Sequence, residues 1–575
     1  MTRMNKRMKS VANRSRLARR SRLACVALAV VVCLASSGAS EAVAQRRRAS
    51  KRPARGGVAV KGTEKSSVPA SVPAVWRAAV EAISADEMRG HLAFLSSDLL
   101  EGRKTPSRGL DIAAEYIAAQ FRGAGLEPAG DDGYFQTAAW SLASRDPRGL
   151  QLNLAVEGGG SLNVKPEQLS LGFNVAGLQL WTLETELTLD GAGIFKVDYA
   201  DAAALTREQL AGRVVITEFP AIPRGERQRA LQLLREENAF LARMRALGSP
   251  LVVAFDHAGA RRLSATQPRL VDPESAAAAS PFGAEPTAPL VVVYGDDAAR
   301  FFDALSAGAK AATLNFHAPA VAQTPVKARN VAGILRGSDP ALKETYVVVS
   351  GHYDHLGMTA NCDEVGRDCI YNGANDDGSG TVGVIEIARA LSKLTPRPRR
   401  SVLFITFFGE EIGLAGSRFY GRHPLVPLAQ TVAQINMEQI GRTDDSEGPQ
   451  VGTAAVTGFD FSDVGATLER AGATAGVRVY KHPKNSDSYF SRSDNQSLAD
   501  AGVPAHTLGV AFEFPDYHAV GDEWPKIDYA NMEKVVRTVA LGVLMIADDA
   551  REPRWNEQNP KAAQYVEAWK RLHEK

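Results

Sequence analysis

The chain has 575 residues, with 67 Lys+Arg, 65 Asp+Glu and four Cys. A 45% apolar, 23% charged composition over this length excludes a collagen, a disulfide-dense miniprotein and a wholly disordered chain. Residues 1–44 hold nine basic residues and one acid, so the formal +2 of the whole becomes −6 without them, which excludes a general nucleic-acid binder.

In chain order, Arg14, Arg16, Arg19, Arg20 and Arg22 crowd ahead of a thirteen-residue apolar run, Leu23 to Ala35. Small residues follow, ending in Ala42-Val43-Ala44. A basic region, a short apolar core and an A-x-A site predict a secretory signal peptide over 1–44. The alternative is an uncleaved anchor, but the run falls short of the roughly 20 residues that a span needs. The chain is therefore expected to be exported, to the periplasm or the medium, with no transmembrane segment in its mature form. Cys25 and Cys33 leave with the signal. The remaining Cys362 and Cys369 are expected to form a disulfide closing a small loop. Residues 45–82 read as a basic, flexible linker rich in Arg, Lys, Pro and Gly.

Ordered sequence is expected from about 83. Leu92, Leu95, Leu99 and Leu100 sit at helical spacing, as do Ile112, Tyr116, Ile117 and Phe121. Residues 146–325 change texture: short apolar runs such as Arg213 to Phe219 surround one helical stretch, Glu226 to Leu247, and predict a mostly β insert. From 326, strands (Val331–Leu335, Tyr346–Ser350, Val402–Phe407, Val432–Ile435, Ala505–Gly509) alternate with helices (Thr381–Leu394, Ser462–Ala473, Asn531–Ala547). Such alternation predicts an α/β domain with a mostly parallel mixed sheet flanked by helices. Residues 83–145 and 326–550 would form this discontinuous domain, with a helical tail over 551–575.

Five polar clusters lie in the α/β segment, mostly just after predicted strands, where open sheets place their sites. They are His352-Tyr353-Asp354-His355, Asn375-Asp376-Asp377, Gly409-Glu410-Glu411, Asn436-Met437-Glu438, and Asp516-Tyr517-His518 with Asp522. A lone Glu pair is usually a solvated face, and a lone His usually packs. His91, His257, His317, His423, His482 and His573 take that reading, and His355 and His506 lean toward structural roles. Five clusters together form the donor set of a two-metal hydrolase, and mixed N and O donors suit zinc.

The ordered run HYDH, GANDDGSG, FFGEE-GLAGS, NMEQIGR, SRSDN and PDYH resembles the secreted two-zinc aminopeptidases. Wider relatives of that family include glutamate carboxypeptidase II, glutaminyl cyclase and the transferrin receptor. The resemblance covers about 326–550 and the helical segment 83–135, and it implies that the insert is a protease-associated domain. Position by position, it implies that His352, Asp376, Glu411, Glu438 and His518 bind two zinc ions. Asp376 would bridge them and precede a cis peptide bond to Asp377. Asp354 would orient His352, and Glu410 would be the general base. Tyr517 would either donate to the oxyanion or simply pack. One position departs: Glu438 stands where the family has Asp, one methylene shorter, and this puts the second zinc in question. Asn495 likewise stands where many relatives have His.

The implied activity is removal of N-terminal residues from peptides with a free amino end. A carboxypeptidase or a one-zinc glutaminyl cyclase using Asp376, Glu411 and His518 is the rival reading, with a non-catalytic binding protein ranked last. Gly378-Ser379-Gly380-Thr381-Val382-Gly383 matches a dinucleotide fingerprint only formally, because a polar loop precedes it and no acid follows about 20 residues on. Residue preference, the role of the insert and the oligomeric state stay open.

Overall fold

The computed structural model describes residues 72–574, apart from 176–177, 182, 222–226, 257–267, 275–286, 360–361 and 363–366. The expected signal peptide, most of the expected linker and His257 lie outside the described residues. The linker expectation to residue 82 is corrected by helix α1, Ala74–Glu81, which starts after Pro73 and buries Ala79 and Val80. Proline suits a helix start because its missing N–H would have no helical partner there.

Helices α2 (Ala85–Leu95) and α3 (Arg108–Gly123) follow. The predicted Leu92–Leu100 helical face is interrupted. Helix α2 ends at Leu95, a 3₁₀ turn spans Asp98–Arg103, and Leu99 is 86% exposed. The main sheet is built from β1 (Phe135–Ser144), β2 (Ala322–Leu335), β3 (Tyr346–His352), β4 (Ser401–Phe407), β5 (Thr431–Met437), β6 (Thr453–Val456), β7 (Arg478–Tyr480) and β8 (Ala505–Gly509). Its order is β1-β2-β4-β3-β5-β8-β6-β7, extended beyond β1 by Arg269–Val271 and flanked at β2 by Glu127–Pro128.

The sheet is mixed, as expected, with parallel pairing at its centre and again between β6 and β7 at one edge. β4, β3, β5 and β8 pair in parallel, whereas β1, β2 and β6 join antiparallel. The central strands are buried at every position, as sheets covered on both faces require. Val347, Val349 and Phe404 pack on one face with α1 to α3, α4 (Gly380–Leu391), α6 (Asp463–Ala475) and α7 (Tyr529–Asp548). Tyr346, Val348 and Ile405 face the other side, under α5 (Ala415–Arg422) and the tail helix α8 (Ala563–His573). β1, β6 and β7 escaped the sequence reading because they are short or alternate weakly.

Residues 151–318 contain a second, eight-stranded sheet with its own cores, together with the helices Arg227–Ala246 and Asp296–Ala304. Its boundary with the main domain is less sharp than expected. Strand Arg269–Val271 pairs with β1, and β2 begins at Ala322 as exposed ribbon before entering the core.

His506 sits on β8, with its ring hydrogen-bonded to Thr457 O and Ser462 Oγ. Burial lowers its pKa from 6.5 to about 4, against a smaller upward pull from Thr457. The folded ring stays neutral while the unfolded chain takes up a proton below about 6.5. This neutral ring therefore favours the fold fully above that pH, and the contribution is lost as pH falls toward 4, by up to about 3 kcal/mol. Denaturant titrations between pH 7 and 4.5 are expected to show this slope, and His506→Gln to remove about one proton from it.

Candidate metal centre and active site

The chain delivers its polar clusters at the carboxyl ends of the central parallel strands. His352 is the last residue of β3, and Asp354 and His355 follow it. Asp376 lies in the loop that opens α4. Glu410 and Glu411 follow β4, Glu438 follows β5, and Tyr517 and His518 lie in the loop after β8. Five non-glycine residues among the described residues have left-handed backbone: Glu101, Arg103, Leu414, Gln439 and His518. Each belongs to a loop at or beside these clusters, and such conformations cost about 1–3 kcal/mol each unless the surroundings fix them.

Asp376 stands between two histidines. Its Oδ1 lies 3.4 Å from His352 Nε2, and its Oδ2 lies 3.1 Å from His518 Nε2. Glu411 Oε2 is 3.3 Å from the same His518 nitrogen, and Glu410 Oε2 is 3.9 Å from His352 Nε2. Donor atoms of His352, Glu410 and Glu438 gather within 4.8 Å of one another, as do those of His355, Asp376 and Glu411. All five expected ligands and Glu410 are thus brought together. The peptide bond after Asp376 is cis. Tyr517 stacks on His518, with ring centroids 4.0 Å apart. Cys362 and Cys369 are joined as a disulfide, with Cα atoms 5.4 Å apart.

His355 corrects the structural reading given to it. Its Nδ1 lies 2.7 Å from Glu411 Oε1, inside the cluster. A His followed three residues later by a second His, just beyond one strand end, was the available signal. Sequence reasoning gave Asp354 its place beside His352 but assigned no loop-holding role to Asp522, Asp377, Asn375 or Asp494. Asp522 accepts the backbone N–H groups of Asn375 and Asp376. Asp377 accepts those of His352, Gly380 and Gln439. Asn375 Oδ1 accepts those of Gly441 and Arg442. Asp354 accepts the N–H of Glu410 at 3.1 Å and lies 3.5 Å from His352 Nδ1. Asp494 is fully buried, with neither carboxylate oxygen hydrogen-bonded.

Burial drives the Glu410 carboxyl well above its usual range, with Glu438 and Glu411 adding to the rise and His352 opposing it. Burial also raises Glu438 to about 7 and Asp494 to about 6. Asp376 goes the other way: burial opposes its ionisation, but its pairing with His352 and His518 outweighs that and holds it below the usual range. His518 resists burial and rises to about 10 through Asp376 and Glu411. The pocket thus holds more carboxylate than its own cations neutralise. His352 Nε2, His355 Nδ1 and Glu411 Oε1 are buried and have close ion-pair contacts that lack hydrogen-bond geometry, and His355 Nε2 is buried with no hydrogen-bond partner. Orphaned N and O donors around an excess of negative charge fit a divalent cation such as zinc. A narrow cleft opens beside them, walled by Thr457, Tyr489, Arg492, Ser493, Thr507 and Phe512.

Residues 330–543 match the sequence profile of peptidase family M28. This segment of the chain belongs to that family. A probable zinc metalloprotease of Pyricularia oryzae is 34% identical over 155 residues, 27% of this chain and 29% of that protein. Aminopeptidase NAALADL1 of Rattus norvegicus is 27% identical over 255 residues, 38% of this chain and 31% of that protein. The chain thus spans about three tenths of the length of these curated relatives. The solved aminopeptidase from Aneurinibacillus sp. strain AM-1 superposes with a TM-score of 0.51 at 19% identity, over 84% of this chain and 100% of that one. At that identity the likeness speaks for the M28 fold.

The Asp522 clamp makes a direct prediction. Asp522→Ala frees two N–H groups beneath Asp376 and is expected to weaken zinc binding about 10-fold or more in a chelator competition. Unchanged affinity would remove Asp522 from the centre.

Proposed function

We propose that this M28 chain is an exported zinc aminopeptidase that binds two zinc ions and removes N-terminal residues from peptides. The observation that carries the reading is the surplus of carboxylate around Asp376, whose two oxygens face two histidines from different loops. Such a pocket takes a metal centre and, beside it, the ammonium of a free chain end. Export rests on the basic–apolar–small pattern of residues 1–44. Among the described residues no helix is long and apolar enough to cross a membrane. The eight-stranded insert is proposed to be protease-associated in kind.

His352, Asp376 and Glu438 would hold one zinc, and Asp376, Glu411 and His518 the other, with His355 Nδ1 in reach through Glu411. Zinc supplies Lewis acidity, making water a nucleophile at neutral pH and drawing electron density from a carbonyl oxygen. Glu410 takes the proton from the attacking water at its carboxylate and returns it to the leaving amine. Its raised proton affinity suits both halves of that transfer. Asp354 fixes the His352 ring and the Glu410 backbone at once. Tyr517, stacked on His518, is placed to offer its hydroxyl to the developing oxyanion.

One observation favours a second reading. Arg492 lines the same cleft with its guanidinium 4.2 Å above the Tyr489 ring centroid. A cation there would hold a substrate carboxylate, as a carboxypeptidase needs. A pool of free and N-acetylated peptides, read by mass spectrometry, separates the two. Stepwise loss from free N-termini alone is expected. Loss from C-termini establishes the second reading, and an ammonia-sized loss from N-terminal Gln establishes a cyclase.

Two substitutions check the roles. Glu410→Gln is expected to lower kcat by about 10²–10⁴-fold while zinc stays bound. His518→Ala is expected to lower zinc content by about one ion per chain by elemental analysis.

A further inference from the structure

The segment just before α3 lies far outside the 330–543 match, yet it runs through the centre. Arg103 is 1% exposed, and its guanidinium makes no hydrogen bond to a carboxylate. Nε donates to Tyr353 O at 2.8 Å, between His352 and Asp354. Nη1 donates to Asn372 O at 2.7 Å and to Leu95 O, and Nη2 to Gly373 O at 2.9 Å, three residues before Asp376. One side chain therefore ties the His352 loop to the Asp376 loop. The backbone adds a further tie: His355 N donates to Arg103 O, and Lys104 bridges His355 as a strand would. Two residues on, Thr105 Oγ1 donates to Asp354 Oδ2 at 3.0 Å. The other oxygen of that carboxylate takes the Glu410 N–H and faces His352 Nδ1.

The segment reaches this position at a cost. Glu101, Gly102 and Arg103 are left-handed in succession, with φ of 50°, 68° and 47°. A Cβ on Gly102 would meet Gly357 O at 2.4 Å and Tyr371 O at 2.5 Å. The glycine is thus pressed against the two-stranded hairpin Gly357–Met358/Ile370–Tyr371, whose connection carries the Cys362–Cys369 disulfide. Strained backbone of this kind persists where the surroundings fix it, and here four guanidinium hydrogen bonds do so.

We propose that Arg103 and Thr105 are positioning residues for the metal centre: Arg103 sets the spacing of the His352 and Asp376 loops, and Thr105 sets the Asp354 carboxylate that orients His352 and Glu410. The M28 segment is then incomplete without the chain N-terminal to the insert. Arg103 keeps its charge, with Asp354, Asp522, Asp377 and Asp376 around it opposing the effect of burial.

The inference rests on the zinc reading of the site, and it is tested on the full chain by the rate at which a chelator removes zinc. Thr105→Val is nearly isosteric and deletes one hydrogen bond. It is expected to release zinc about 10-fold faster and to lower kcat about 10-fold, with KM changed less than about threefold and the thermal midpoint unmoved. Thr105→Ser is expected to restore both quantities. Arg103→Lys keeps the charge but loses the fork, and is expected to release zinc faster still. Wild-type release and kcat in Thr105→Val overturn the proposal. So does a loss that follows a lowered thermal midpoint and that Thr105→Ser leaves uncorrected. Zinc release does not depend on which bond is cut, so a failed peptide assay overturns the aminopeptidase reading and leaves this test standing. A wild-type chain that binds no zinc overturns both.

Discussion

Repulsion among buried carboxylates is the constraint on which the rest of this molecule turns. Asp376, Glu410, Glu411 and Glu438 share one pocket, with Asp377, Asp494 and Asp522 buried behind them. Two like charges 4 Å apart repel by about 4 kcal/mol at an effective dielectric of 20. The groups divide in response. Asp376 and Glu411, which face histidines, are held below their usual range against the pull of burial. Glu410, Glu438, Asp494 and Asp522 are pushed up by burial. A pocket in that state favours any cation that enters, whether a metal ion or an ammonium.

The scaffold makes such crowding tolerable by placing it where backbone donors are plentiful. At the carboxyl ends of β3, β4, β5 and β8 the chain leaves the sheet, and its N–H groups are free to turn inward. Asp377 collects three of them, and Asp522 collects two, from the adjacent Asn375 and Asp376. Carboxylates that look away from the pocket thus hold the loops, while those that look into it keep open lone pairs. The left-handed residues Leu414, Gln439 and His518 are where the chain turns sharply enough to do this.

The central strands, the main helices and the expected ligands were legible because each is a local pattern. Apolar runs of five to seven residues mark β3 and β4, and each ligand doublet sits just beyond such a run. What was not legible depends on chain segments that meet only in three dimensions. Nothing in Glu-Gly-Arg-Lys-Thr predicts that Arg103 will cap carbonyls some 250 residues away, because a buried arginine bonded to backbone leaves no partner motif. Asp522 reads as part of the His518 cluster, and its contact with Asn375 N is equally non-local. His355 was misplaced for a related reason: its companion Glu411 comes from the next strand over. Helix α2 stopped short because Ser96 and Ser97 end it, and Leu99 then reads as apolar spacing without being core.

Glu438 shows how a single methylene changes the argument. Its own N–H is fixed to Leu508 O, and the next residue is left-handed, with its N–H on Asp377. The backbone on both sides is therefore committed, and the extra length must be taken up by the side chain. That side chain still brings an oxygen within 4.8 Å of donors from His352 and Glu410, while Ser493 favours its ionised form. The other half of the centre has no such slack, since Glu411 is held between His355 at 2.7 Å and His518 at 3.3 Å. On the zinc reading, the two halves therefore differ in stiffness. The His352 half, whose Glu438 is pushed up by burial while Glu411 is held down beside its histidines, is the half expected to give up its metal first as pH falls.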